Sequence, residues 1–188
     1  MPELAIPRLV IHPKLPTDRP DPVQDVIDAL ENIGLLGDPD QHNNTYLAGE
    51  EFLNLITFLG CSPSVKLSPA EGDHYCYLQI NPVSDSVRCL GYTDLVKPQC
   101  PSCKQSISHW KQSANWFDGS ATKTCELCGV EKPVQSFRWR KEAGFGQFSI
   151  HISYIHPHEV VPSDIIFQAL QQASGFSWAY FYANNQDS

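Results

Sequence analysis

The chain has 188 residues, carries a net charge of −8 and is 41% hydrophobic. That length suits one ordinary domain with an appended module, or two small domains, and the apolar share is enough for a real core. No apolar run approaches the roughly 20 residues of a membrane span, and the acidic balance argues against a simple nucleic-acid binder.

The opening Met1-Pro2-Glu3-Leu4-Ala5-Ile6-Pro7 lacks the basic region and long apolar stretch of a signal peptide, so the expected location is the cytoplasm. Prolines recur through residue 20, and residues 1–20 read as an extended arm on the surface. A helix follows. Asp21 is a suitable N-cap and Pro22 a suitable first residue. Val23, Val26, Ile27, Leu30 and Ile33 make one apolar stripe, and Gly34 ends it. Residues 37–45 read as a polar loop. A second helix is expected from Gly49 to Leu59, with Phe52, Leu55, Ile56 and Leu59 on its buried side and Gly60 as its stop.

His74–Ile80 and Val87–Tyr92 have strand composition and read as a hairpin across Asn81–Ser86. Val134–Lys141 and Phe145–Ile155 read as a second hairpin around Ala143-Gly144. Within the latter strand, Phe148, Ile150, Ile152 and Tyr154 alternate with Ser149, His151 and Ser153, which predicts one buried and one wet face. Ser163 caps a helix over 164–174 closed by Gly175, and Phe176–Ala183 is a last aromatic strand. The order predicts an α+β fold: an antiparallel or mixed sheet with packed helices. Residues 1–94 and 141–188 would form the body, and residues 95–140 an inserted module.

That module holds two Cys-x-x-Cys pairs, Cys100-Pro101-Ser102-Cys103 and Cys125-Glu126-Leu127-Cys128. Two thiolates three positions apart in a tight turn can point at one ion, and two such turns complete a tetrahedron. Gly129 follows the second pair and can take positive φ, whereas Lys104 follows the first. The pattern resembles the zinc-ribbon class over residues 95–140, which implies one structural Zn²⁺ with no vacant position. Iron in a rubredoxin-like site, a redox Cys-x-x-Cys and four unrelated core cysteines are the alternatives. Cys61, Cys76 and Cys89 are expected to be free thiols. With a turn near Ser84, Cys76 would face Tyr92 and Cys89 would face Gln79, so their sulfurs would not be opposite.

Eight of the 13 cations and three of the 21 acids lie between Lys97 and Lys141, a net of +5 that leaves −13 on the remainder. Three of the four tryptophans lie there too. Lys104, Trp110, Lys111, Trp116, Lys123, Arg138, Trp139 and Arg140 therefore form a candidate ligand-contact surface, by which basic and aromatic groups could track and stack a nucleic acid. The competing reading is that the basic module docks on its own acidic body and the tryptophans supply its packing. His151, His156, His158 and Glu159 are a candidate second metal or general-base cluster; a surface reading explains all of them and is preferred, so no second metal is expected there. The chain has no phosphate-binding Gly-x-x-x-x-Gly-Lys-Ser/Thr loop, no Gly-x-Gly-x-x-Gly, no Gly-x-Ser-x-Gly and no His-Glu-x-x-His. The leading expectation is an adaptor or regulatory protein with a protein partner. A nucleic-acid-associated protein comes second and an enzyme third.

Overall fold

The computed structural model describes residues 6–41, 43–59, 65–72, 74–112, 116–156 and 158–184. In chain order the elements are β1 (Arg8–Pro13), α1 (Val23–Asn32), β2 (Leu36–Pro39), β3 (Thr45–Ala48), α2 (Phe52–Leu55), β4 (Ile56–Phe58), β5 (Tyr77–Ile80) and β6 (Arg88–Tyr92). Then come β7 (Thr122–Thr124), β8 (Glu131–Pro133), β9 (Ala143–Gly146), β10 (Ile150–Ser153), β11 (Val160–Pro162), α3 (Asp164–Ser174) and β12 (Trp178–Ala183). Six strands form one sheet in the order β12-β1-β10-β5-β3-β2, antiparallel at every pairing. Three two-stranded pairs stand beside it: β4–β11, β6–β9 and β7–β8.

The two long helices form where the sequence places them. Val26 and Leu30 of α1 and Ile166 and Leu170 of α3 are fully buried, and they cover Leu9, Ile11, Leu78, Ile150 and Ile152 on one sheet face. Pro22 is the N-cap of α1, so the helix starts one residue later than the Asp21 cap implies. Gly175 closes α3 at φ 79, a left-handed geometry that glycine adopts without strain.

Several expectations are corrected. Residues 8–13 are not part of a surface arm. They form β1, which lies between β12 and β10, and Leu9, Val10 and Ile11 are wholly buried because both faces of the strand are covered. The polar loop over 37–45 contains parts of β2 and β3, paired to each other. The second helix is only Phe52–Leu55. Ile56, Thr57 and Phe58 leave it to pair with Pro162, Val161 and Val160, and their backbone groups are met by that strand. Its expected stop, Gly60, and the expected free thiol Cys61 lie outside the described residues.

Neither hairpin forms. β5 sits between β3 and β10, and β6 pairs with β9. After β5 the chain continues along its neighbour, with Asn81 N–H donating to Ser149 C=O at 3.0 Å and Ser84 N–H to Gln147 C=O at 2.8 Å. Those bonds carry the chain past the turn that a hairpin would need. Residues 134–136 are a 3₁₀ turn, not a strand. Cys76 and Cys89 are free thiols: Cys76 directly precedes β5 and Cys89 lies in β6, strands that do not pair with each other.

The face carrying Ser149, His151 and Ser153 is not wet. All three are buried. The β6–β9 pair covers the β12–β1 end of that face: Leu90 clusters with Val10, Phe181 and Ala183, and Gly144 lies so close to Phe181 that a Cβ would strike the ring. Two backbone bonds tie the layers, Asn184 N–H to Tyr92 C=O at 3.0 Å and Tyr182 N–H to Lys141 C=O at 2.9 Å. Among the described residues, no helix is long and apolar enough to cross a membrane.

Candidate metal centre

Each cysteine pair is built by the same short-range hydrogen bonds. Cys100 N–H donates to Gln105 C=O at 2.9 Å and Lys104 N–H to Cys100 C=O at 3.0 Å. Cys125 N–H donates to Val130 C=O at 2.8 Å and Gly129 N–H to Cys125 C=O at 2.8 Å. Such a turn reverses the chain within five residues, so both sulfurs project to its concave side. It demands positive φ at its fifth position. Gly129 takes φ 73 there, and Lys104 takes φ 62. The departure from glycine noted in the first pair therefore changes the residue but not the backbone geometry.

The two turns face each other. Cys100 Sγ is 3.7 Å from Cys128 Sγ, Cys103 Sγ is 3.8 Å from Cys125 Sγ, and all four sulfurs lie within 4.8 Å of one another. A tetrahedron with metal–sulfur bonds of about 2.3 Å has edges of about 3.8 Å. The donor set fits a metal ion. The sulfurs also differ in acidity. Burial opposes a thiolate at Cys100, but the N–H groups of Cys103 and Ser102 and the neighbouring thiols bring it down to about 6. At Cys128 the Val130 N–H favours the thiolate, while burial and the other three sulfurs push it up to about 11. Four thiolates crowded this closely need a cation to coexist.

Around the sulfurs lies an aromatic interior. Trp110, Trp116 and Trp139 are only 2%, 5% and 6% exposed. Trp110 and Trp139 meet at 5.0 Å between ring centroids and Trp116 meets Phe137 at 5.0 Å. The indole N–H groups are satisfied, Trp110 by Val96 C=O at 2.8 Å and Trp139 by Val134 C=O at 3.1 Å. This cluster crosses the boundaries expected for the module. Trp110 packs edge-on against Tyr92 of β6 at 5.2 Å, and Trp139 against Phe145 of β9 at 5.2 Å.

Of the candidate ligand-contact residues, the three tryptophans are buried in this cluster. The cations remain outside. Lys104, Lys111, Arg138 and Arg140 are exposed and Lys123 is half-buried, 5.5 Å over the Trp116 ring. Lys111 reaches back to Asp94, 2.7 Å from its C=O and 3.5 Å from its carboxylate, and lies over Tyr92. Lys104 folds onto Pro101 C=O at 3.0 Å.

The histidine cluster does not assemble. His151 points to the second sheet face, where its Nε2 is 3.1 Å from Ser149 Oγ. His158 instead meets Tyr182 with tilted rings 4.7 Å apart, and Tyr182 belongs to the helix-covered core. The sheet thus separates His151 from His158, while His156 and Glu159 are exposed. Reading polar residues as solvent-facing hid the buried Ser149–His151 pair. Its sequence signal was a histidine and two serines alternating with apolar residues on a strand without a charged residue.

Compared with known proteins, the chain matches no family model, no curated protein and no solved structure.

Proposed function

We propose that this protein is a cytoplasmic adaptor or regulatory protein without catalytic function of its own, stabilised by one zinc ion in a zinc ribbon inserted at 95–140. The observation that carries this reading is the closed arrangement of Cys100, Cys103, Cys125 and Cys128, whose sulfurs lie within 4.8 Å of one another. Four thiolates fill a tetrahedral ion's coordination and leave no position for water or substrate, which is the donor set of a structural site. Zinc is preferred to iron because only the second pair is followed by glycine, where rubredoxin-like turns carry one after both.

A protein partner is preferred to nucleic acid. Burial of the three tryptophans removes the stacking platform, and Lys111 and Lys104 are engaged within the chain. Leu127, between the ligands of the second pair, is 66% exposed and offers an apolar contact at the metal end.

Protein purified without added metal should contain about one equivalent of zinc per chain, measured by elemental analysis, as a closed four-thiolate site requires. Iron as the main metal, or intact thiols without metal, rejects the zinc assignment. Salt-sensitive retention on an immobilised nucleic acid would favour the nucleic-acid reading over the protein partner.

A further inference from the structure

The second sheet face is only partly covered by β6 and β9. Next to the apolar contact of Leu90 on Val10 and Phe181, a cleft of roughly 470 Å³ opens between the sheet and β6, and none of the four clustered cysteines lines it. That volume falls within the range of about 300–1,000 Å³ typical of small-molecule sites.

Its floor is a polar patch within the sheet. Ser149 is 3% exposed and His151 5%. Gln79 lies directly across from His151 in the strand register, and Asn81 Nδ2 donates to Ser149 Oγ at 3.2 Å. Ser149 Oγ in turn meets His151 Nε2 at 3.1 Å. Buried polar groups cost stability relative to apolar ones unless function or satisfied bonding requires them. The same face is filled a few ångströms away by Val10 and Phe181, so the fold could have been closed without this patch.

The walls differ from the floor. Phe117 and Leu90 give the cleft apolar surface, and Arg88 supplies the one full charge among the described lining residues. Although the chain holds 21 acids, no carboxylate is among those described lining residues. One guanidinium fork, amide and hydroxyl groups on the floor and an aromatic wall define a ligand with one planar anionic head and a flat apolar body. A phosphate dianion would call for a second cation or a row of backbone N–H groups; a carboxylate matches a single arginine bidentately.

We propose that this cleft binds a small organic carboxylate, its head on Arg88 and its apolar body between Phe117 and Leu90 above the Ser149–His151 floor. The proposal is independent of which metal the cysteines hold. The test uses the full metal-loaded chain titrated with phenylpropionate and followed by proton–nitrogen correlation NMR. Phenylpropionamide, which keeps the body and loses the charge, and inorganic phosphate, which keeps charge without the body, are the controls. Saturable shifts are expected at Arg88, Leu90, Gly91 and the His151 ring, with the amide weaker by about tenfold or more, the value of one charge-assisted pair. Arg88→Gln should weaken phenylpropionate by a similar factor. Arg88 is exposed, so melting temperature and metal content should be unchanged in that variant. The proposal is overturned by absence of saturable binding, by equal affinity for the amide, or by shifts centred elsewhere. Indifference to Arg88→Gln, or phosphate binding as tightly as the carboxylate, overturns it too.

Discussion

Leu9, Ile11, Leu78, Ile150 and Ile152 meet Val26, Leu30, Ile166 and Leu170 in a mainly aliphatic interior that Phe52, Phe148, Trp178 and Tyr182 complete, whereas the interior around Cys100 and Cys125 is made chiefly of Trp110, Trp116, Trp139, Phe137 and Phe145. The first draws on strands and helices from residue 9 to residue 182 and is closed by sheet topology. Each buried aliphatic contributes about 1.5–3 kcal/mol, and there are enough of them to hold the fold. The second draws its buried members from residues 96–145, with strands of three or four residues and, among the described residues, no long helix. So small a unit cannot bury enough surface by ordinary means. Broad rings take the place of a larger core, a metal held by the four thiolates would add a cross-link, and the rings reach Tyr92 and Phe145 to share in the stability of the rest.

The largest effect should come from removing the cross-link. Cys125→Ser with Cys128→Ser should abolish metal binding, which for structural zinc sites supplies about 10–16 kcal/mol of folding free energy. Tryptophan emission should shift to the red, since three of four indoles sit in this cluster. The whole protein should also melt earlier, with circular dichroism and fluorescence changing together, because Trp110 and Trp139 no longer brace β6 and β9. If circular dichroism keeps its original midpoint, the two interiors are independent.

A second comparison separates the two cores while both remain folded. Trp139→Ala should cost about 3–5 kcal/mol and Leu78→Ala about 2–5 kcal/mol in denaturant unfolding. Only the first should weaken zinc binding in a competition titration with a chelator, since metal affinity is linked to folding of the turns that present the thiolates. Equal zinc affinity in both variants would break the link between the tryptophan cluster and the site.

The second sheet face adds a pH dependence of its own. His12 lies beside Phe181 at 5.4 Å, edge to face. Burial lowers its pKa from 6.5 to about 4, against a smaller opposing effect of the Pro13 backbone. The unfolded chain therefore binds a proton that the folded chain refuses between these values. Stability from neutral His12 is complete above pH 6.5 and is lost as pH falls toward 4. With the ring partly exposed, the discounted contribution is about 2 kcal/mol. Release of the proposed zinc would also destabilise the protein in acid, so the measure is a difference: wild type should lose more stability than His12→Gln between pH 7 and 4.5. Parallel curves would remove His12 from the account.

The four cysteines and the two long helices were legible because their signals are local. Cys-x-x-Cys spacing, the Val26–Leu30 stripe and the Gly175 stop each state a geometry within a few residues. Strand pairing is not local. The two hairpins failed because nearness in sequence stood in for partnership, while β5 and β10 find each other across some 70 residues of intervening chain. β1 was hidden by the prolines flanking it, and its Leu-Val-Ile run lacks the alternation of a half-exposed strand because both of its faces are covered. The Ser149–His151 floor was misread for a related reason: alternation distinguishes two faces of a strand but does not say what covers either of them.

The smallest effect tests the near symmetry of the two cysteine turns. Lys104 and Gly129 occupy equivalent positions, with φ 62 and φ 73 and the same N–H to C=O bond four residues back. A residue with a Cβ pays about 1 kcal/mol to hold left-handed backbone, and glycine does not. Two terms oppose the gain from Lys104→Gly. Glycine loses more backbone freedom on folding, and the contact of Lys104 Nζ with Pro101 C=O disappears. That contact is exposed, so it weighs little beside the backbone term. Lys104→Gly should therefore stabilise the metal-bound fold by about 0.5–1 kcal/mol and tighten zinc binding by about twofold to fivefold, whereas Gly129→Lys should do the reverse. Nothing lies within 4 Å of a Cβ built on Gly129, so its substitution tests backbone strain without a steric clash. If both variants weaken zinc binding, the lysine has a role at the first turn that its backbone geometry does not account for, and the two halves of the site are less alike than their hydrogen bonds imply.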